Sequence, residues 1–395
     1  MPGRNRIPTR LWVWAEGTPP VQEIAAPGQV DHRASMERAD TVPPSLPMDQ
    51  SSGDAPGWTE IQPGAIAGWT PTLLGTEASL FQLPYWNESL RMLHLRPRYL
   101  TYQSGGESRA YLCLLELGLP GARFGLVPRG PVVLDGDGLP TAWLHGLVGW
   151  AQREGYVFLR ATHHDDAVLT TWASLPGARR ADAFPYYREP QEELLVPQLE
   201  DDADTMRAFQ PVARRNLRRA QDEGYAIESA DTPEALTAVW PLFERLSART
   251  RVRYRPSRSF AQLLALGRTS GAVRLFVARL QHRAVEAILV ARDHSTAHYI
   301  IGALDTAAIE GHDSPSVLLH WHAMREFARE GTRYYDLGTR SGQVYTFKRK
   351  FRPIERQLSA PVTVVINRAL FPFWSAVGLG VGRKLWPSLK RAFFR

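Results

Sequence analysis

The chain of 395 residues is long enough for two domains of ordinary size, each with its own hydrophobic core. Hydrophobic residues make up 44% of it and charged residues 22%, which is typical of a soluble globular protein. The net charge of +7 and the pI of about 9.6 favour anionic partners such as phosphates, RNA or an acidic membrane surface. Arginine-rich chains also reach such values without binding a polyanion.

A single cysteine, Cys113, excludes an internal disulfide bond, and its apolar neighbours predict a buried strand. No stretch reaches the roughly 18 apolar residues of a membrane-spanning helix. Near the N-terminus, the apolar run at residues 11–15 is shorter than the roughly 7–15 residues of a secretory signal. The cytoplasm is therefore the expected location.

Residues 1–57 are rich in Pro, Gly, Ala, Ser and Asp and show no sustained periodicity, which predicts a disordered leader or a start codon placed too early. A first domain is predicted over residues 64–200. Its strands are predicted at residues 97–103, 108–117, 123–128 and 156–161, and apolar residues at helical spacing predict a helix at residues 141–154.

A second domain is predicted over residues 201–367, because the order of strands and helices occurs again. Helices are predicted at residues 205–223, 232–250, 260–266 and 315–329. Strands are predicted at residues 225–229, in a three-strand meander at 273–280, 284–292 and 297–302, and at 334–338. The sequence therefore predicts two similar α/β halves in tandem.

Motifs of hydrolases, zinc sites and nucleotide-binding P-loops do not occur in the sequence. His320 and His322 stand two residues apart on a predicted helix, hence on different faces, which is unsuited to one metal ion. No metal site is expected.

The order of elements from residue 273 to residue 338 resembles the core of the GNAT acyltransferase fold. Enzymes of that fold hold the pyrophosphate of acetyl-CoA on backbone N–H groups of a glycine-rich loop after the meander. Here residues 303–313 contain one glycine, Gly311, and three carboxylates, Asp305, Glu310 and Asp313, which we expect to repel a pyrophosphate. Acetyl-CoA is therefore disfavoured as the donor, and no cofactor is expected.

A doubled GNAT core without its CoA loop resembles the Fem family of peptidyltransferases, which carry amino acids from aminoacyl-tRNA to peptidoglycan precursors. The resembling segments are residues 81–86 (FQLPYW), 124–132 (FGLVPRGPV), 213–224 (ARRNLRRAQDEG), 299–303 (YIIGA), 335–338 (YDLG) and the later Phe347, Lys348 and Phe351. They span about residues 64–367. The resemblance implies an α/β (α+β) fold with two tandem GNAT-like domains, whose mixed sheets are flanked by helices.

The sequence also departs from the family pattern. Thr339 stands where a second glycine is common, and Arg352 replaces the glycine after Phe351. The long coiled-coil arm of some members is absent, because only a short segment separates Thr250 from the meander.

Three residues are expected to carry the chemistry. A fixed cation lowers the barrier to attack of an amine on an ester, and Lys348, expected at the end of a strand, suits that role or binding of a phosphate. The resemblance implies that Phe347 and Lys348 touch the acceptor and the reaction centre; the alternative is a solvated basic edge. Asp336 is expected to bind the acceptor amine or only to cap the next turn.

Candidate substrate-binding residues are spread more widely. Arg215 and Arg218, with two neighbouring arginines, form a cationic helix face suited to tRNA phosphates or the pyrophosphate of a precursor. Arg251 and Tyr254 combine cation and aromatic ring, which suits a stacked nucleotide. The resemblance places Tyr299 along the substrate groove. Arg129 is expected to be structural or to reach a phosphate, with Gly130 and Pro131 shaping a turn.

The predicted tail, residues 368–395, carries aromatic residues and uncompensated cations, which suit an anionic membrane surface or a helix docked on the protein's own core. Together these features predict transfer of an amino acid from aminoacyl-tRNA to the stem-peptide amine of a lipid-linked or UDP-linked peptidoglycan precursor. The alternatives are an acyl-CoA-dependent N-acyltransferase for an envelope sugar or polysaccharide amine, and a non-enzymatic Fem-like binding module. The expected location is the cytoplasm, with the inner face of the plasma membrane as the alternative.

Overall fold

The computed structural model describes residues 56–93, 95–119, 122–135, 138–180, 192–250, 254–340 and 342–372. The predicted leader up to residue 55, Arg251 and the tail from residue 373 lie outside the described residues.

Fifteen strands occur in the described part of the chain. They are β1 (Gly57–Glu60), β2 (Arg96–Ser104), β3 (Glu107–Leu119), β4 (Ala122–Pro128), β5 (Val132–Val133), β6 (Tyr156–Thr162), β7 (Ala178–Arg180), β8 (Glu192–Pro197), β9 (Ala226–Ala230), β10 (Val273–Leu280), β11 (Arg283–Arg292), β12 (Thr296–Leu304), β13 (Tyr334–Asp336), β14 (Ile354–Gln357) and β15 (Val362–Val365).

Ten α-helices accompany them within the same described ranges, with short 3₁₀ turns between. They are α1 (Trp69–Leu74), α2 (Pro84–Glu88), α3 (Thr141–Arg153), α4 (Asp166–Ala173), α5 (Asp202–Ala208), α6 (Pro211–Asp222), α7 (Pro233–Thr250), α8 (Ser257–Gly267), α9 (Ser316–Arg329) and α10 (Gly342–Lys348). The 3₁₀ turns that matter below are Leu80–Gln82 and Arg349–Phe351.

The strands form two mixed sheets. The first has the order β1-β2-β3-β4-β6-β15-β7, with β5 beside β3, and the second has the order β14-β8-β13-β12-β11-β10-β9. Each sheet contains one parallel pair, β4 with β6 and β12 with β13, and a helix joins the two strands of each pair. This arrangement confirms the predicted tandem of two GNAT-like α/β units without a long coiled-coil arm.

The two sheets exchange strands across the boundary predicted at residue 200. Strand β8, from the predicted first domain, pairs with β13 and β14 in the second sheet. Strand β15, from the predicted second domain, lies between β6 and β7 in the first sheet. Both strands are short and pair with distant segments, so local pattern did not reveal which sheet they join.

Two predicted elements differ from the structure. The helix predicted at residues 205–223 is two helices, because Pro211 lacks an N–H group and the residue before it, Gln210, takes an extended conformation. Lys348, expected at the end of a strand, is the last residue of helix α10.

Side chains alternate across strand β12, and this alternation separates two regions of the protein. Ala297 and Tyr299 face a core formed with α6 and α9. His298 and Ile300 point the other way, and Ile300 belongs to a core that also contains Tyr85 and Trp86 of the first domain. The second sheet therefore packs directly against the first domain.

A buried ion pair also joins the two units. Arg129, which follows β4 in the left-handed region at φ 58°, places Nη1 2.5 Å from Oε1 of Glu193 on β8. Both side chains are buried.

Substitution of the exchanged strand tests its contribution. Val364 on β15 is fully buried, so Val364→Ala should lower the free energy of unfolding by about 2 kcal/mol. Ile354→Ala is the matched control, because Ile354 is 52% exposed on edge strand β14 and its loss should change stability by less than about 0.5 kcal/mol. Urea denaturation measures both, and equal effects would contradict the placement of β15.

Candidate active site

Lys348 is buried at the end of α10, and its Nζ donates a hydrogen bond to the carbonyl oxygen of Thr339 at 2.7 Å. Burial lowers the pKa of Lys348 from 10.5 to about 8, although the carboxylates of Asp336 and Glu192 act in the opposite direction. The side chain is therefore a desolvated ammonium group that titrates near neutral pH. The predicted alternative, a solvated basic edge, is wrong for Lys348 and holds for its exposed neighbour Arg349.

Asp336 is the last residue of β13, and both oxygens of its carboxylate make polar contacts. Its Oδ1 accepts hydrogen bonds from the backbone N–H groups of Gly338 at 2.8 Å and Leu194 at 3.2 Å. Its Oδ2 lies 3.2 Å from Nδ1 of His298. The contact with the backbone N–H of Gly338 agrees with the predicted role of Asp336 in capping the next turn. Asp336 also lines the pocket described below, and its other predicted role, binding of the acceptor amine, remains a proposal.

His298 stands opposite Asp336 in the register of the parallel pair β12 and β13. Its second ring nitrogen, Nε2, lies 2.9 Å from Oδ2 of Asp293, which also accepts a hydrogen bond from the backbone N–H of Leu80 at 3.0 Å. Asp293, His298 and Asp336 are all buried, and Leu80 belongs to the first domain.

The charges of Asp293, His298 and Asp336 shift one another's pKa values. Burial acts to lower the pKa of His298, but the charge and hydrogen bond of Asp293, and then those of Asp336, outweigh it and raise the pKa to about 9. Burial acts to raise the pKa of both aspartates, but His298 reverses the direction and leaves each lowered. Asp336 is therefore an ionised carboxylate whose basicity is reduced.

A narrow pocket between the first domain and the second sheet opens onto these groups. It is lined by Leu80, Phe81, Trp86, Arg129, Glu192, His298, Ile300, Asp336, Gly338 and Thr339. The guanidinium of Arg129 lies 4.7 Å over the ring of Phe81. The space inside is ≈ 10 Å³, which holds about one water molecule.

Aromatic side chains lie on the opposite face of strand β12. The ring of His320 packs 4.8 Å from that of Tyr299 and 5.5 Å from that of Phe347. The hydroxyl of Tyr254 donates to the carbonyl of Gly302 at 3.3 Å, and a Cβ at Gly302 would lie 2.5 Å from the hydroxyl of Tyr299. Tyr254 and Tyr299 therefore meet at Gly302, next to the aromatic group around Phe347.

Backbone N–H groups of the loop before α9 donate hydrogen bonds to other groups of the protein. Ala308 donates to Asp305, His312 to the carbonyl of Ile309, Asp313 to Glu223, and Ser316 to the hydroxyl of Ser314. The side chain of Ser316 also donates to both carboxyl oxygens of buried Glu286, at 2.8 and 2.9 Å. This first turn of α9 is the position at which GNAT enzymes were expected to hold a pyrophosphate.

The charge argument for this loop requires a correction. Asp305 is neutralised, since its Oδ2 lies 3.2 Å from Arg245 and 3.1 Å from Arg283. Asp313 lies 3.8 Å from Arg219. Of the three carboxylates only Glu310 remains exposed and without an ion pair among the described residues, so engaged amide groups are the main feature that distinguishes the loop from a pyrophosphate cradle.

The structure brings together some of the predicted site residues. Asp336 and Arg129 line the pocket, and Lys348 reaches Thr339 at its wall. Phe347 and Tyr299 pack in the core on the other face of β12. Tyr254 packs against Trp240 and Phe243, in the core that contains Ile300.

Arg215 and Arg218 lie apart from the pocket, exposed on α6, and make no ion pair with the described residues. The other arginines of the predicted cationic face are engaged, Arg214 with the carbonyls of Arg207 and Phe209 and Arg219 with Asp313. Arg251 lies outside the described residues.

Asp293 and His298 did not emerge from the sequence. The sequence did contain one signal: side chains alternate along a strand, so the predicted strand at residues 297–302 places His298 on the face opposite Tyr299.

A larger cleft, of ≈ 430 Å³, lies on the first domain beside β1 and β2. Two of its arginines are paired with its glutamates: Arg98 with Glu60 and Glu154, and Arg123 with Glu116. These charges are satisfied by one another, whereas Arg96, which also lines the cleft, is exposed and makes no ion pair with the described residues.

Three or more metal-ligating side chains do not cluster anywhere among the described residues. His320 is buried and His322 partly exposed, as expected for different faces of α9. None of the helices that the structure describes combines the length and the apolar character needed to cross a membrane.

Residues 207–349 match the family model of the acetyltransferase (GNAT) domain. The crystal structure of FemX is similar with a TM-score of 0.67 at 15% identity, covering 80% of this chain and 99% of that one. A conserved protein of unknown function from Bacteroides thetaiotaomicron has a TM-score of 0.56 at 12% identity, covering 79% and 100%. The C-terminal domain of a proposed lysylphosphatidylglycerol synthetase from Agrobacterium fabrum has a TM-score of 0.50 at 15% identity, covering 80% and 96%. No curated protein matches the sequence.

The match to the GNAT domain and the tandem architecture define the class of protein. The chain has a Fem-like GNAT fold and is an acyltransferase. At identities of 12–15%, the structural similarities establish the fold alone.

The pKa of Lys348 gives the site a measurable pH dependence. Between about pH 8 and pH 10.5 the folded protein holds this lysine neutral while the unfolded chain is protonated, so stability rises with pH. The stability of the wild type relative to Lys348→Met should therefore increase by about 2–3 kcal/mol from pH 7.5 to pH 10. Urea denaturation at both pH values tests this, and a difference independent of pH would contradict a buried titrating lysine.

Proposed function

We propose that the protein transfers an amino acid from aminoacyl-tRNA to the stem-peptide amine of a peptidoglycan precursor. The observation that carries the proposal is the buried ammonium of Lys348 beside the interdomain pocket that Asp336 and Arg129 line. The resemblance of this chain to the Fem family supports the choice of donor and acceptor.

The reaction forms one bond and breaks another. The acceptor nitrogen attacks the carbonyl carbon of the aminoacyl ester, the new C–N bond forms, and the C–O bond to the tRNA ribose breaks. The amine loses a proton and the ribose oxygen gains one. Negative charge develops on the carbonyl oxygen, and a fixed cation such as Lys348 stabilises it most strongly where water is excluded.

Asp336 suits the binding of the acceptor amine better than its deprotonation. Its carboxylate accepts three hydrogen bonds from the protein, and His298 lowers its pKa. A carboxylate of low basicity attracts an ammonium or amine without removing its proton. Arg129 also lines the pocket, and an anionic group of the acceptor would share this cation with Glu193.

The loop before α9 supports a donor other than acyl-CoA. Four of its backbone N–H groups donate to the protein itself, and Ser316 in the first turn donates to Glu286. A pyrophosphate would have to displace these contacts to bind. The exposed Arg215 and Arg218 provide cations for the tRNA backbone instead.

An acyl-CoA-dependent N-acyltransferase acting on an envelope sugar or polysaccharide amine is the second candidate. The observation that favours it is the match of residues 207–349 to the acetyltransferase (GNAT) domain.

The first candidate also implies a location. A charged tRNA is available in the cytoplasm, so transfer from it places the protein there or at the inner face of the plasma membrane, where the basic tail from residue 368 would meet lipid-linked acceptors.

Transfer can be measured directly. Incubation with charged tRNA and a lipid-linked or UDP-linked muropeptide should give a stem peptide longer by one amino acid. Lys348→Ala should lower the rate roughly 100-fold or more, because the cation at the developing oxyanion is lost. Arg349→Ala removes a neighbouring exposed cation and should retain the rate. No product with any common aminoacyl-tRNA, or equal loss in both variants, would contradict the proposal.

Binding of tRNA should depend on the arginines of α6. Arg215→Ala and Arg218→Ala should each weaken binding and reduce the slope of log affinity against log salt by about 0.7–0.9, the value for one lost phosphate contact. Arg153→Ala, at an exposed position on helix α3 of the first domain, is the control and should leave the slope unchanged. Filter binding over a salt series measures the slope, and identical slopes in all variants would place the tRNA elsewhere.

A further inference from the structure

Hydrogen bonds, connected at one step by the backbone between Gly338 and Thr339, link the first domain to Lys348, and we call this set the Leu80–Lys348 relay. Leu80 N–H and His298 Nε2 both bond Oδ2 of Asp293, His298 Nδ1 bonds Oδ2 of Asp336, Gly338 N–H bonds Oδ1 of Asp336, and Lys348 Nζ bonds the carbonyl of Thr339. The distances along it are 3.0, 2.9, 3.2, 2.8 and 2.7 Å.

The contacts of the central histidine favour one protonation state. Both ring nitrogens of His298 face carboxylate oxygens, and an ionised carboxylate can only accept hydrogen bonds. The other oxygen of Asp293 accepts from the backbone N–H groups of Ser295 and Thr296, which favours its ionised form. His298 is therefore an imidazolium that donates in both directions.

Every side chain in this part of the relay is shielded from water. Asp293, His298 and Asp336 are 5%, 4% and 7% exposed. A buried carboxylate without a partner is costly, and the backbone N–H groups of Gly338 and Leu194 keep Asp336 ionised together with the imidazolium, which also fixes its orientation. The turn at Gly338 and Thr339 in turn depends on Asp336, because Asp336 accepts the N–H of Gly338.

We propose that His298 is a positioning residue, whose imidazolium, held between Asp293 and Asp336, fixes the 338–339 turn whose carbonyl accepts the hydrogen bond of Lys348. Because Leu80 completes the relay, the contact between the first domain and the second sheet sets the environment of the lysine. The inference rests on the proposed function for the role of Lys348, but it concerns the lysine itself and can be tested without substrate.

The charged groups around the relay determine the sign of the effect. Lys348 is faced by Asp336 from β13, Glu192 from β8 and His320 from α9, and burial keeps His320 neutral by lowering its pKa.

His298 is faced by its two carboxylates, by His164 after β6 and, through Asp336, by Arg129 after β4. Loss of the imidazolium would leave the negative charge of Asp336 less compensated. Protonation of Lys348 would then become easier.

The chain contains four lysines, so a protein labelled with ¹³C,¹⁵N-lysine gives a spectrum simple enough to follow one side chain. Lys348→Arg assigns the signal. His298→Asn should raise the titration midpoint of Lys348 by about one pH unit. His294→Asn is the matched control, because the ring of His294 also contacts the first domain, at the carbonyl of Leu74, but lies outside the relay. It should leave the midpoint unchanged.

Equal midpoints in the wild type and in His298→Asn would overturn the proposal. So would ¹⁵N shifts of the wild-type His298 ring that show an unprotonated nitrogen at pH 7. The second measurement decides the matter if His298→Asn does not fold. Neither uses donor or acceptor, so failure of the proposed transfer reaction would leave both results standing.

Discussion

The positive charge of Lys348, buried against the carbonyl of Thr339, is the constraint around which the rest of the site is organised. A charge removed from water must be compensated nearby, and here the compensation is Asp336 with a contribution from Glu192. Asp336 is itself buried and requires His298, which requires Asp293. Each group is stable only because the next one is present, so the polar chain extends to the backbone of the first domain.

The fold supplies this chain through the pairing of two parallel strands. The register of β12 and β13 sets His298 opposite Asp336, and alternation along β12 keeps the aromatic group around Tyr299 on the other face. The exchange of β8 and β15 between the sheets ties the two units together. Glu193 of β8 then pairs with Arg129 at the pocket, so the same exchange places a first-domain cation beside the site.

Much of the scaffold could be predicted from the sequence, because the meander and the amphipathic helices have strong periodicity. The short strands β8, β14 and β15 could not, since their partners lie far away in the chain. Lys348 and Asp336 were identified by resemblance, whereas His298 was not, because a lone histidine in an apolar strand resembles an ordinary core residue. Its role became visible only when the structure placed carboxylates at both ring nitrogens.

The donor decides what this protein does, since the fold is shared by enzymes that differ in what they transfer. The most direct measurement offers the protein acetyl-CoA and aminoacyl-tRNA together with one amine acceptor and determines the mass added to that acceptor. We expect the product to gain one aminoacyl residue, because the amide groups of the loop before α9 already donate hydrogen bonds within the protein. A product that gains an acetyl group, with the tRNA left charged, would contradict it.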